Sequence, residues 1–327
     1  MRKLKMSTII CLSFLFVLFL VAWFVVTQPL WPHKRAPSQA RVDPARLEAH
    51  VRVLAETLLP RDAGHSENLD RAAAYVRKAF EATGGRVSEQ AYRIGEHTYR
   101  NVVLQLGPET GERIVVGAHY DAFGELPGAD DNASGVAGLI ELARLLDEAD
   151  LPTTVELVAY TLEEPPYFRT NGMGSAVHAR RLREADVDVR LMISLEMLGY
   201  FSDDPNSQRF PLAPLKLFYP SKGNFIGVIG KLDGGRDVRR VKRAMRGATP
   251  LPVHSLNGIP RLVVGLDMSD HLSYWHYGYP AVMVTDTAFL RNRAYHTKDD
   301  TADRLDYERM AMVIVGVYEA VIEVVGH

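Results

Sequence analysis

Apolar and polar positions along this chain fall into one long unbroken run and two repeating periods. The run comes first. Ile9 to Val26 is apolar apart from Ser13 and follows Arg2, Lys3 and Lys5, a length sufficient for a transmembrane helix. A cleaved signal peptide is the rival reading, but its apolar core spans about 7 to 15 residues and ends at a small-residue cleavage site. Here the run is longer and leads into Thr27, Gln28, Pro29, Leu30 and Trp31. The pattern therefore predicts an uncleaved signal anchor over residues 1–27, a Pro-containing linker over 28–42 and one folded domain over 43–327. Basic residues ahead of the run hold that end in the cytoplasm, although Lys34, Arg35 and Arg41 beyond it oppose the bias. The folded domain is then expected on the periplasmic or extracellular side, with Trp23 and Trp31 suited to the interface.

Beyond residue 42 the periods alternate. Asp43-Pro44 is a helix start, and Leu47, Val51, Leu54 and Leu58 recur at helical spacing. A second helix is predicted from about Leu69 to Thr83, stopped by Gly84-Gly85, and a third over Gly135 to Ala149, with Asn132 and Ser134 as available caps. Short continuous apolar runs at Ile114–Ala118, Val155–Thr161, Leu191–Leu195 and Ala281–Thr285 read as buried strands between them. Asp306 caps a last helix striped by Met310, Ile314, Val317, Val321 and Val325. This alternation predicts an α/β fold: a single-domain three-layer sandwich with a mostly parallel, mixed central sheet and helices on both faces. The segment Phe201 to Pro220, rich in Pro, Asp and Ser, breaks the alternation and reads as an insertion that is either a surface loop or a wall of a substrate pocket.

Composition narrows the partners. Lys plus Arg is 38 and Asp plus Glu is 40, and three of the basic residues lie among the first five, so the domain is mildly acidic. That balance argues against nucleic acid. The basic run Arg236, Arg239, Arg240, Lys242, Arg243 and Arg246 reads as one solvated helix, with a docking patch for an acidic partner as the alternative. The single cysteine, Cys11, lies inside the apolar run and permits no intramolecular disulfide.

The chemistry sits where the strands end. His119 and Asp121 follow the first strand run, with Asp130 and Asp131 further along the same connection. Glu163 and Glu164 follow the second strand, Glu196 the third, and the fourth leads on to His296. Each alone could be a solvated loop or a cap. Together they place histidines and carboxylates at the edge where open α/β sheets bind ligands, a donor set suited to zinc or a similar divalent ion. A carboxylate can bridge two cations roughly 3.5 to 4 Å apart, and Asp130 is the candidate for that bridge. The Glu163-Glu164 pair offers one ligand and one general base. Asp121 is placed to orient the His119 imidazole. His271 and Asp270, in Ser269-Asp270-His271, read as substrate-side or structural hydrogen bonders, and Tyr295 as either a donor to a developing oxyanion or a packing residue.

The segments His119-x-Asp121, Gly128 to Gly135, Glu163-Glu164, Ser194 to Met197, Ser269-Asp270-His271 and Tyr295-His296-Thr297 resemble the co-catalytic zinc aminopeptidase family, as a membrane-anchored, bacterial-type member. Its relatives include glutamate carboxypeptidases, animal-type glutaminyl cyclases and the non-catalytic transferrin receptor. The resemblance extends from about residue 45 to the C-terminus. It implies a metallopeptidase domain with two zinc ions, one held by His119, Asp130 and Glu196, the other by Asp130, Glu164 and His296, and Glu163 as general base. The family pattern has Asp where this chain has Glu196, so the extra methylene must displace either that oxygen or the metal.

The resulting expectation is a metallo-aminopeptidase that hydrolyses the N-terminal peptide bond of a peptide with a free amine, through a metal-bound hydroxide. Three alternatives share the scaffold. A single-zinc glutaminyl cyclase differs in metal count and product; a carboxypeptidase needs arginines for a free carboxylate, for which Arg291 and Arg293 are available; a receptor-like ectodomain is expected to have lost ligands or base.

Overall fold

The computed structural model describes residues 2–30 and 36–326. Trp31, Lys34 and Arg35 lie outside the described residues, as do the side chains of Arg2, Lys3 and Lys5. Eight strands form one mixed sheet: β1 (Arg86–Ile94), β2 (His97–Leu106), β3 (Arg113–His119), β4 (Thr154–Tyr160), β5 (Val189–Glu196), β6 (Ile226–Lys231), β7 (Val253–Gly258) and β8 (Ala281–Thr285), in the spatial order β1-β2-β4-β3-β5-β8-β6-β7. β3 lies parallel to both β4 and β5, β5 to β8, and β6 to β7. The antiparallel pairs are β1–β2, β2–β4 and β6–β8. The β1–β2 hairpin is an antiparallel edge that the apolar runs do not announce.

Helices cover both faces, giving the three layers. α2 (Pro44–Arg52), α3 (Ser66–Phe80), α4 (Gly135–Asp147), α6 (Gly235–Ala248) and α8 (Tyr307–Val325) share one core with Ile114, Val116, Leu157 and Ile193. α5 (Gly174–Glu184) and α7 (His271–His276) pack on the other face with Val115, Val158 and Met192. Alternate residues of one strand thus feed two cores, which is why the central strands are apolar throughout. Local signals act as expected at the helix ends: Asp43 accepts from the Ala45 N–H, and Asp306 Oδ1 from the Arg309 N–H at 2.9 Å.

The N-terminal helix α1 (Arg2–Thr27) contains an 18-residue segment, Ile10–Thr27, long and apolar enough to cross a membrane and almost wholly exposed. Its end is nevertheless fixed to the domain. The Lys242 ammonium on α6 donates to the Thr27 and Gln28 carbonyls at 2.7 and 3.1 Å, and Ser255 Oγ on β7 donates to Thr27 O at 2.8 Å. Burial lowers the Lys242 pKa to about 8. Ser38, within the expected linker, is also buried and donates to Glu319 at 2.6 Å. Within 28–42, Gln28, Ser38 and Val42 are thus held against the domain, while Ala36, Pro37, Gln39 and Arg41 are exposed.

Strand order positions the site. β3 is followed in the chain by β4 on one side and β5 on the other, so the crevice at its C-terminal end is open on both sides. His119 ends β3, Glu196 ends β5, and Glu163 follows β4.

Candidate metal centre

Five side chains converge at this edge in two groups that share one member: His119, Asp131 and Glu196, and Asp131, Glu164 and His296. Asp131 Oδ1 is 3.5 Å from His119 Nε2, while Asp131 Oδ2 is 3.1 Å from His296 Nε2. Glu196 Oε2 stands 3.4 Å from His119 Nε2, and Glu164 Oε1 3.3 Å from His296 Nε2. His119 Nε2, His296 Nε2 and Glu164 Oε1 are buried and have no hydrogen-bond partner. Buried polar atoms are costly to leave unmade, and here the unpaired atoms face one another across distances a cation would span. The donor set fits zinc.

The carboxylate between the two groups is Asp131, and the expectation that Asp130 occupies that position is corrected. Asp130 points the other way: its Oδ1 accepts from the Gly199 N–H and its Oδ2 from the Asn292 amide, both at 2.9 Å. Asp131 sits in a non-helical conformation, φ −104° and ψ 89°, within the turn entering α4, so adjacent side chains take opposite directions. Gly128 enters that turn at φ 55°, and a Cβ there would meet Asp131 O at 2.3 Å. Asn132 then ties the turn to β5, donating to Leu195 O and accepting from the Met197 and Gly135 N–H groups.

Asp121 supports the site differently from expectation. The nearest acceptor it offers to His119 Nδ1 is its own backbone carbonyl, at 3.2 Å, with Oδ1 at 3.5 Å. Its carboxylate accepts from the Glu163 and Glu164 N–H groups at 3.1 and 2.9 Å, so it sets the backbone that presents both glutamates. Leu162, Met197 and His296 all hold positive φ without being glycine, a conformation costing on the order of 1–3 kcal/mol each that persists only where packing dictates it.

The local electrostatics are those of an acid surplus. Burial pushes the Glu163 carboxyl well above its usual range and raises Glu196 too, against the opposing pull of His119; it lifts Glu164 to about 7, helped by Asp131. Burial disfavours charge on the imidazoles, yet Glu163 and Glu196 raise His119 well above its ordinary value, and the adjacent Asp131 and Glu164 carboxylates take His296 to about 10. A divalent cation would neutralise this surplus. Glu163 belongs to neither group and lies with Oε2 3.9 Å from His119 Nε2.

Several further residues support the site, of which Asp300, Arg61 and Phe123 carry no sequence signal. Ser269 Oγ donates to Glu196 Oε2 at 2.8 Å. Asp300 accepts from the Asp130 and Asp131 N–H groups, and burial raises it to about 8. Arg61, fully buried, donates to the Tyr120, Leu54, Pro127 and Gly128 carbonyls. Phe123 and Tyr295 stack near-parallel to His296, with ring centroids 4.1 and 3.8 Å away.

An apolar cleft of about 810 Å³, counting space open to solvent, adjoins Glu196 and Tyr295; Phe210, Leu215, Phe225, Met283 and Phe289 are among its walls. The insertion at 201–220 is thus a cleft wall as well as a surface loop. Of the four residues expected on the substrate side, only Tyr295 lines this cleft. Arg291 is buried, bonded to Gln208 and Tyr200 and over the Phe225 ring, with burial lowering it to about 10. His271 bonds to Leu266 O at 2.9 Å and is pushed down to about 4 by burial. Asp270 is fully buried beneath the site and raised to about 7, again by burial.

The model of peptidase family M28 matches residues 101–321. The chain belongs to peptidase family M28. It is a hydrolase acting on peptide bonds. The protein YfbL of Escherichia coli (strain K12) is 44% identical over 320 residues, 95% of this chain and 98% of YfbL. Leucine aminopeptidase 1 of Ajellomyces capsulatus (strain NAm1 / WU24) is 26% identical over 247 residues, 70% of this chain but only 56% of that protein. The chain therefore spans little more than half of the leucine aminopeptidase's length. Among solved structures, the LapA aminopeptidase of Legionella pneumophila superposes with a TM-score of 0.69 at 21% identity, covering 88% of this chain and 73% of LapA. The glutaminyl cyclase of Fimbriiglobus ruber does so with 0.66 at 20% identity, covering 90% and 99%. At these identities the likeness is one of fold.

Proposed function

We propose that this member of family M28 is a zinc-dependent aminopeptidase, anchored by α1 with its folded domain on the periplasmic or extracellular side. The observation that carries the proposal is the Asp131 carboxylate, one oxygen toward His119 and the other toward His296, between unpaired donor atoms. His119, Asp131 and Glu196 would hold one ion, and Asp131, Glu164 and His296 a second. Bound there, zinc supplies Lewis acidity that polarises a scissile carbonyl and acidifies water.

The chain's own groups do the rest. Glu163 is the residue of the glutamate pair outside both donor groups, and its burial-raised proton affinity suits a base working near neutral pH. It takes the proton from the attacking water and returns it to the leaving amine. The likeness to a leucine aminopeptidase favours a substrate with a free N-terminus. Tyr295, whose pKa burial raises, stays protonated and faces the cleft as a donor. The apolar cleft favours an apolar first residue. Arg291, the arginine expected to bind a free C-terminal carboxylate, is absent from its walls.

The test is mass spectrometry of products from peptides beginning with Leu, alongside their N-acetylated forms and a peptide beginning with Gln. Release of the first residue from free-amine peptides alone is expected. Loss of ammonia from the Gln peptide without chain cleavage would identify glutaminyl cyclase chemistry, and hydrolysis of the acetylated peptides at their first bond would sink the aminopeptidase reading.

A further inference from the structure

The segment Pro211-Leu212-Ala213-Pro214-Leu215-Lys216-Leu217-Phe218 buries Leu215 but projects two leucines away from the domain: Leu217 is 76% exposed and Leu212 45%. It also touches α1. The Phe218 ring lies 5.4 Å, centroid to centroid, from Phe19. Phe19 is eight residues before Thr27, or about 12 Å along a helix, and Ile10–Thr27 is about as long as a bilayer's hydrocarbon core is thick, near 30 Å. Contact at Phe19 therefore places the tip of this segment well inside the span, away from its outer end. The helix cannot swing free of that contact, because Lys242 and Ser255 clamp Thr27 and Arg239 packs over the Phe24 ring.

We propose that residues 211–218 form a second, monotopic membrane contact that dips into the outer leaflet beside α1. The proposal rests on α1 spanning a bilayer. The segment's chemistry suits lipid. Pro211 and Pro214 bring no N–H to satisfy, and the Leu215 and Phe218 N–H groups are used internally, donating to Leu212 O and Leu215 O, as a backbone in hydrocarbon requires. Lys216, exposed, has the reach to snorkel to the headgroups. The same segment walls the apolar cleft through Pro211 and Leu215, so the cleft is held at the membrane surface.

The experiment uses the full chain with Cys11→Ser, reconstituted into phosphatidylethanolamine vesicles containing a minor share of phosphatidylglycerol. Single cysteines at Leu217, Phe16 and Glu96 carry an environment-sensitive fluorophore, and a cooperative thermal melt checks each fold. Glu96 lies on the β1–β2 hairpin at the far edge of the sheet. Lipids spin-labelled along the acyl chain should quench positions 217 and 16 and leave 96 untouched. Quenching at 16 with aqueous quenching at 217 would overturn the second contact and leave the anchor standing. Protection of 217 from both quenchers would mean a protein partner covers it and would overturn the proposal equally. Aqueous quenching at both 16 and 217 would overturn the anchor and the proposal together.

Discussion

At the scale of single residues, the centre depends on which of two adjacent aspartates faces the donors. Asp131→Asn replaces one of the two oxygens with an amide nitrogen and removes the negative charge that both donor groups share, so metal analysis should find both ions depleted. Asp130→Asn alters contacts with Gly199, Asn292 and the neighbouring Asp286 but none with a metal donor, and should cost at most the roughly 10- to 100-fold in metal affinity typical of groups that hold ligands from behind. The reverse ordering would restore Asp130 as the bridge. Glu163→Gln keeps the shape but cannot take a proton, so kcat should fall by roughly 10² to 10⁴ with metal content unchanged. Loss of metal instead would exchange the roles of Glu163 and Glu164. Glu196→Asp should retain metal: Ser269 orients the carboxylate by hydrogen bonding, and the shorter side chain matches the family pattern.

At the scale of elements, α2 and α4 are joined by a buried charge cluster remote from the centre. Glu141 on α4, 0% exposed, accepts from Arg46 on α2 at 2.8 Å and Arg144 at 3.1 Å, with His50 Nε2 at 3.7 Å. Burial pushes the Glu141 carboxyl up, but the nearby His50 and the hydrogen bonds from Arg46 and Arg144 outweigh it and hold the pKa at about 2. A depressed carboxyl stabilises the fold above its unfolded pKa, and the contribution is lost as pH falls toward 2. Against an unfolded value near 4.5 this is worth roughly 3 kcal/mol at neutral pH. Glu141→Gln should therefore unfold at lower urea than the parent at pH 7, with the difference shrinking steadily below pH 4.5. A constant difference across that range would show that the pair acts through packing alone.

At the scale of the whole molecule, the helix that leads into the domain is also one of its packing partners. A chain beginning at Arg41 should be soluble and active, because α2 is capped locally and the core clusters draw on residues beyond 40 apart from the edge contact of Ala40. It loses two of the three acceptors of a buried ammonium, so urea unfolding should show a loss of roughly 1–3 kcal/mol. Lys242→Met in the shortened chain should recover much of that loss. Failure of the shortened chain to fold would show that residues before 41 belong to the domain.

The sequence by itself determined the sandwich and the chemical character of its open edge. Strands buried on both faces must be apolar throughout, helices between them must show a stripe, and polar side chains at strand ends have nowhere to go but the crevice. His119, Glu163, Glu164 and Glu196 were legible for that reason, and His296, well beyond the end of β8, through the resemblance carried by Tyr295-His296-Thr297. What only the tertiary structure decided are the relations that spacing does not encode. Asp130 and Asp131 are chemically identical neighbours, and their directions are set by Gly199 and Asn292, distant in the chain. Arg291 resembled a carboxylate binder until the aromatic rings and Gln208 enclosed it. The Phe201–Pro220 segment has no period to read, since its conformation follows from the cleft it walls and the helix it touches. Periodicity reports burial of an element against its own neighbours; long-range contacts between irregular segments leave no period, and they choose which aspartate faces the donors and which side chains wall the cleft.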